Sequence, residues 1–111
     1  MSNDPSARRV LITGCSTGIG RALAVECTRR GYEVIATARR PEAIADLDVS
    51  QRVQLDVTAP SSIAAALEQA GRVDVLVNNS GFTIWGAVEA VPVADMQSLF
   101  ETNLFGALRL I

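Results

Sequence analysis

Apolar residues first form a short unbroken run, Val10-Leu11-Ile12 between Arg9 and Thr13, and then recur at helical spacing at Ile19, Ala22, Leu23 and Cys27. The run, bounded by Gly14, predicts a buried parallel strand over 9–13. The three-and-four spacing predicts a helix from Ile19, with Arg29 and Arg30 in the last turn, where the macrodipole favours cations, and Gly31 as its stop. The cycle then repeats. Residues 33–38 read as a second strand, Pro41 opens a short helix through Leu47, and 53–57 form a third strand. Pro60 opens a helix whose apolar face is Ile63, Ala66, Leu67 and Ala70 before Gly71, and 73–77 form a fourth strand. After a Gly-, Trp- and Pro-containing stretch from Gly81 to Pro92, a helix begins near 93–95 and is still running at Ile111. Strands alternating with helices predict an α/β fold, a doubly wound parallel sheet in the order β1-α1-β2-α2-β3-α3-β4-α4.

The two ends of the chain read differently. Residues 1–8 are polar and contain Pro5, which predicts a short disordered lead-in to a domain over 9–111. At the other end Leu104, Phe105, Leu108, Leu110 and Ile111 continue an apolar helix with no glycine stop. The fourth strand would then sit at a bare edge, a liability that natural sheets usually cover. The expectation is the N-terminal part of a longer chain, truncated after about four strands.

Composition narrows the chemistry. The chain has 111 residues, 49% hydrophobic and 20% charged, enough for one domain with a core. A net charge of −2 supplies no field to gather nucleic acid or an anionic membrane surface, so neither is expected as a partner. All ten basic residues are Arg, His and Lys are absent, and Tyr32 is the only tyrosine. Ser-His-Asp hydrolysis, His-ligated metals, a Walker lysine and Schiff-base chemistry are therefore excluded within these residues. Cys15 and Cys27 have no zinc or redox spacing, so no metal is expected. With no apolar run approaching about 18 residues and no cleavable leader, a cytoplasmic setting is the expectation.

The segment carrying chemistry is Thr13-Gly14-Cys15-Ser16-Thr17-Gly18-Ile19-Gly20, between the first strand and the first helix. Glycines there allow a tight turn and a close backbone approach to a ligand, while the helix N-terminus offers free N–H groups to a pyrophosphate. Ser16 and Thr17 add hydroxyl donors. The G-x-x-x-G-x-G spacing differs from the G-x-G-x-x-G of the standard dinucleotide fingerprint. It resembles the short-chain dehydrogenase/reductase signature T-G-x-x-x-G-x-G. A second segment, Asn78-Asn79-Ser80-Gly81 after the fourth strand, resembles that family's N-N-A-G, with Ser80 in place of alanine. The resemblance covers residues 9–111.

This resemblance implies a Rossmann-like sheet binding a nicotinamide cofactor and acting on a small-molecule alcohol or carbonyl, commonly in homodimers or homotetramers. It implies that Asp56 and Val57 lie against the adenine. Asp56 is equally placed to form a turn before Thr58 and Pro60. Asn79, Ser80 and Gly81 would line the ribose side, with Asn78 tying neighbouring strands. By resemblance Asn103 holds a water in the catalytic proton relay through its backbone carbonyl. Its plainer role is a partly exposed polar residue on a helix. Phe82 and Trp85 either shape a substrate pocket or cover the core. The family's tyrosine, its partner lysine four positions later and its serine normally follow the helix that ends this chain, and the absence of Lys means that the 111 residues alone are expected to be inactive.

The end of the second strand selects the cofactor. An acidic residue there would accept from a ribose 2′-hydroxyl and repel a 2′-phosphate. This strand runs Ala36-Thr37-Ala38-Arg39-Arg40, with cations where the acid would stand. NADP is therefore expected over NAD, with Arg39 on the 2′-phosphate and Ser16 or Arg40 assisting. Alternatively both arginines are simply solvated. Two further readings are a non-catalytic nucleotide-binding or interaction module and a nucleoside-binding methyltransferase. The Asn-Asn-Ser-Gly segment argues against the latter.

Overall fold

The apolar run at 9–13 folds as β1 (Arg9–Ile12), one of two inner strands of the sheet in the computed structural model, which describes residues 7–111. The lead-in expected over 1–8 falls, for residues 1–6, outside the described residues. β1 is followed by α1 (Gly18–Arg29), β2 (Glu33–Ala38), β3 (Gln51–Gln54), α2 (Pro60–Ala70), β4 (Val75–Val77) and α3 (Val93–Phe100). All strand pairs are parallel, in the order β3-β2-β1-β4, with Leu11 opposite both Ile35 and Leu76.

Because side chains alternate across a strand, each run of consecutive apolar residues feeds two cores. Val10, Ile12, Val34 and Ala36 face one layer with Ala24 and Leu23 of α1. Leu11, Ile35 and Val53 face the other with Ile63, Ala66 and Ala70 of α2. The doubly wound parallel sheet inferred from the alternation is thus present. β4 lies on the outer side of β1, its three residues only partly buried, and Leu104, Phe105, Leu108 and Ile111 are exposed.

Four elements depart from the sequence pattern, the simplest being the fourth strand, expected over 73–77 and observed only over Val75–Val77. The helix expected from Pro41 to Leu47 is only a 3-10 turn over Pro41–Ile44. Ile44, Leu47 and Val49 are all buried on the α1 side of the sheet, and their spacing of three and two suits a tight turn running into extended chain rather than a 3.6-residue helix. The third strand is Gln51–Gln54 rather than 53–57, because the Asp56 carboxylate accepts from the Thr58 N–H at 2.9 Å and turns the chain. The last helix is interrupted. After α3, residues Glu101–Gly106 form a π-helical stretch, and Ala107–Leu110 resume as α4.

Candidate nucleotide-binding site

The turn leaving β1 is shaped by contacts that only small residues permit. Gly14 has φ +71°, a left-handed conformation that side chains with a Cβ rarely adopt. Gly20, the third residue of α1, sits so close to this turn that a Cβ would lie 2.3 Å from the Gly14 carbonyl oxygen. Between them Cys15 is fully buried, its N–H donating to the Thr37 carbonyl at 2.9 Å, and burial pushes its thiol pKa up. It anchors the turn as a neutral side chain. No side chain caps α1, and Thr17 precedes it in extended conformation, so the first-turn N–H groups lack a side-chain acceptor.

Thr13 joins this turn to the segment after β4. Its side chain is buried, and its Oγ1 accepts from the N–H groups of both Asn79 and Ser80, at 2.9 and 2.8 Å. The Asn79 amide Nδ2 donates to the carbonyls of Thr13 and Gly14, each at 3.1 Å. Asn79 therefore makes the inter-strand tie expected of Asn78. The Asn78 amide instead donates to the Ala107 carbonyl, 3.3 Å away at the start of α4, because residue 78 points toward the helix layer.

Asn103 is exposed on the helix, as its plainer reading expects, but its side chain is engaged. It lies in the π-helical stretch, where its Nδ2 donates to the Phe82 carbonyl at 2.8 Å and its Oδ1 accepts from the Phe82 N–H at 3.0 Å. A two-way amide clasp holds the backbone just after Gly81 against the helix. π-Helical turns are frequent at functional sites, since the extra residue shifts the register of the groups that follow.

These segments surround a cleft of about 490 Å³ at the C-terminal ends of the strands, where strand order reverses between β1 and β4. Of the residues singled out from sequence, Gly14, Ser16, Thr17, Ile19, Arg39, Asp56, Val57, Asn79, Ser80 and Gly81 line it. Gly18 opens α1 and Gly20 supports the turn from behind. Arg40 and Asn103, whose side-chain amide is turned to Phe82, are not among the lining residues. Phe82 lines the cleft, whereas Trp85 is 90% exposed. Sequence reasoning missed Ala38, Leu55, Thr58, Ser98 and Thr102. The last two had a readable signal, hydroxyl residues four apart on one face of a helix.

Asp56 forms the turn, and it also lines the cleft. Its Oδ1 accepts from the Thr58 hydroxyl at 2.6 Å and from the Thr58 N–H at 2.9 Å. The hydroxyl and then the N–H hold its pKa below the ordinary 3.8, against a smaller opposing effect of burial, and the Arg39 charge adds to the lowering. The folded state thus favours the carboxylate. The stabilisation is complete above the unfolded value and is lost as pH falls through the lower folded one. In an NMR titration the Thr58 amide shift should stay flat from neutral pH to about 4 and move only below the ordinary aspartate value. A midpoint at or above that value would show that the clasp does not hold in solution.

The residues present fit a dinucleotide: a tight turn with Gly14 at φ +71°, open N–H groups at a helix start, and the cationic Arg39 on the cleft wall. Comparisons with known proteins agree. The family model for short chain dehydrogenase matches residues 8–111. Retinol dehydrogenase 8 of Bos taurus is 44% identical over 94% of this chain and 38% of its own length. A short-chain dehydrogenase structure from Streptomyces avermitilis superposes with a TM-score of 0.87 at 44% identity, covering 96% of this chain and 43% of that one. A 3-ketoacyl-(acyl-carrier-protein) reductase from Brucella melitensis, solved in complex with NADH, gives 0.87 at 26% identity, with 93% and 47% covered. The chain therefore spans less than half the length of these relatives. Among the described residues no helix is long and apolar enough to cross a membrane. With its glycine turn, its Asn-Asn-Ser-Gly segment and its four parallel strands in the family's arrangement, this chain belongs to the short-chain dehydrogenase family.

Proposed function

We propose that these residues form the cofactor-binding, N-terminal part of an NADP-dependent oxidoreductase that transfers hydride between the nicotinamide and a small alcohol or carbonyl substrate. The observation that carries the NADP preference is Arg39 on the cleft wall, at the end of a β2 that presents no acidic residue there. On this reading the first turn of α1, with Ser16 and Thr17, holds the pyrophosphate, Asp56 and Val57 border the adenine, and Asn79 to Gly81 border the ribose. The cofactor supplies the hydride. The proton donor and its lysine come from outside these residues: the sequence has no Lys. Tyr32 stands just before β2, beside the end of the sheet where Glu33 pairs with Arg9, opposite the cleft. Residues 9–111 would then be one part of a larger cofactor domain, and the relatives' greater length supports this. A homodimer or homotetramer is proposed for the whole protein.

Arg39→Ala tests the cofactor reading. A charge-assisted hydrogen bond contributes about 1.5–3 kcal/mol, so the NADPH-over-NADH affinity ratio should fall by about 10- to 150-fold, with NADH binding little changed. An unchanged ratio would sink the NADP assignment and leave Arg39 as a solvated side chain.

A further inference from the structure

Beyond their backbone ladder, the ends of β2 and β3 are joined by a directed chain of side-chain hydrogen bonds. The Asp56 N–H donates to Ser62 Oγ at 2.9 Å, and the Ser62 hydroxyl donates to Gln54 Oε1 at 3.0 Å. Gln54 Nε2 then donates to the Arg39 carbonyl at 3.3 Å. The ladder itself reaches Ala38 opposite Gln54, with the Leu55 N–H on the Ala38 carbonyl at 2.9 Å. The Gln54 side chain thus engages the next carbonyl along β2, where the chain leaves the sheet.

The polarity of this relay is forced at both ends. A backbone N–H can only donate, so Ser62 Oγ accepts there and its own proton must go to Gln54 Oε1. A backbone carbonyl can only accept, so Gln54 must present its NH₂ group to Arg39. Only a side chain with an acceptor on one arm and a donor on the other can stand between them. Neither Gln54 nor Ser62 is among the cleft-lining residues, yet the two residues that they join, Arg39 and Asp56, both line it. The Arg39 charge also reaches the Asp56 carboxylate, helping to lower its pKa.

We infer that Gln54, with Ser62, sets selectivity for NADP(H) over NAD(H) by holding the Arg39 backbone in fixed relation to Asp56, an inference that rests on the cofactor reading proposed above. Gln54 is a positioning residue. It fixes where the Arg39 side chain starts, so that the guanidinium meets a 2′-phosphate without first paying to order the strand end. NADH, lacking that phosphate, has no use for the ordering.

The test measures Kd for NADPH and for NADH on the full-length protein carrying Gln54→Leu, Ser62→Ala, Arg39→Ala or the Arg39→Ala/Gln54→Leu pair. Gln54→Leu and Ser62→Ala should each lower the NADPH-over-NADH ratio about 3- to 10-fold, the effect of one or two hydrogen bonds. In the Arg39→Ala background, Gln54→Leu should leave the ratio where Arg39→Ala alone put it, since there is no guanidinium left to position. Gln54→Glu keeps the shape and the Ser62 acceptor but loses the donor to Arg39, so it should lower the ratio as well, and it serves if the Leu variant does not fold. A ratio that Arg39→Ala lowers and the Gln54 variants leave unchanged overturns the positioning role alone. A ratio that Arg39→Ala leaves unchanged overturns the cofactor reading, and the role of Gln54 with it. Equal weakening of both cofactors by Gln54→Leu would show a merely structural contact and also overturns the inference.

Discussion

Gly20→Ala is expected to destabilise the chain by about 3 kcal/mol or more, at the upper end of what overpacking a close contact usually costs. The added Cβ would lie 2.3 Å from the Gly14 carbonyl oxygen and 2.4 Å from Asn79 Nδ2. Neither neighbour can yield cheaply. Gly14 is held in a left-handed turn at φ +71°, and the Asn79 amide is committed to two carbonyls, those of Thr13 and Gly14. Relief therefore requires α1 to move away from the turn, which removes α1 from the apolar layer where Ala24 is fully buried. In urea unfolding the midpoint should drop with little change in slope, and nucleotide affinity should fall with it. Val25→Ala, on an exposed position of the same helix, serves as the control and should stay within about 0.5 kcal/mol of the parent. A Gly20→Ala protein as stable as that control would mean that the helix does not approach the turn as described.

Thr13→Val should cost about 2–4 kcal/mol although it preserves the side-chain shape. The hydroxyl oxygen is the common acceptor for two backbone donors, the N–H groups of Asn79 and Ser80. Valine fills the same space and accepts nothing. Two partly buried N–H groups would then lack a partner, and each such loss costs about 1–3 kcal/mol where water does not compensate. Partial access to water places the expectation below the sum of the two upper values. Hydrogen exchange at the Asn79 and Ser80 amides should accelerate more than exchange in α2, which packs on the other face of the sheet. Thr13→Ser retains the oxygen and should recover most of the loss. Equal exchange rates in the Val variant and the parent would contradict the shared-acceptor geometry.

These two residues show how far the sequence could be read. The glycine turn was legible because its spacing, its place after an apolar run and the helical periodicity after it all pointed to one strand-loop-helix unit. That Gly20 is needed for packing rather than for an unusual backbone angle was not legible, since the clash is with atoms from residues 14 and 79. Thr13 is an ordinary strand residue by pattern, and its hub role follows only when β4 is laid beside β1. Asn78 and Asn79 are chemically identical and adjacent. Only the turn of the chain after Val77 decides that one faces α4 and the other faces the glycine turn.

Arg39 and Arg40 make the same point about charge. Both are exposed cations at the end of β2, and only Arg39 reaches the cleft wall. Asp56 was equally readable as a ligand contact or a turn former; its Oδ1 accepts both bonds from Thr58 and so forms the turn, while the residue also lines the cleft. The interruption of the last helix by the stretch Glu101–Gly106 had no clear local mark. It coincides with Asn103 bonding to Phe82, a partner 21 residues earlier in the chain.

By itself the sequence determined the succession of strands and helices, the two-sided burial of a parallel sheet, the glycine turn and the cationic end of β2. Each of these depends on neighbours within a few positions, where periodicity and residue type act directly. Tertiary structure alone decided which of two adjacent asparagines ties the turn, which of two adjacent arginines meets the cleft, and that Gln54 and Ser62 join Arg39 to Asp56. These outcomes depend on hydrogen-bond directions and sub-ångström clearances between segments that the fold brings together from distant parts of the chain.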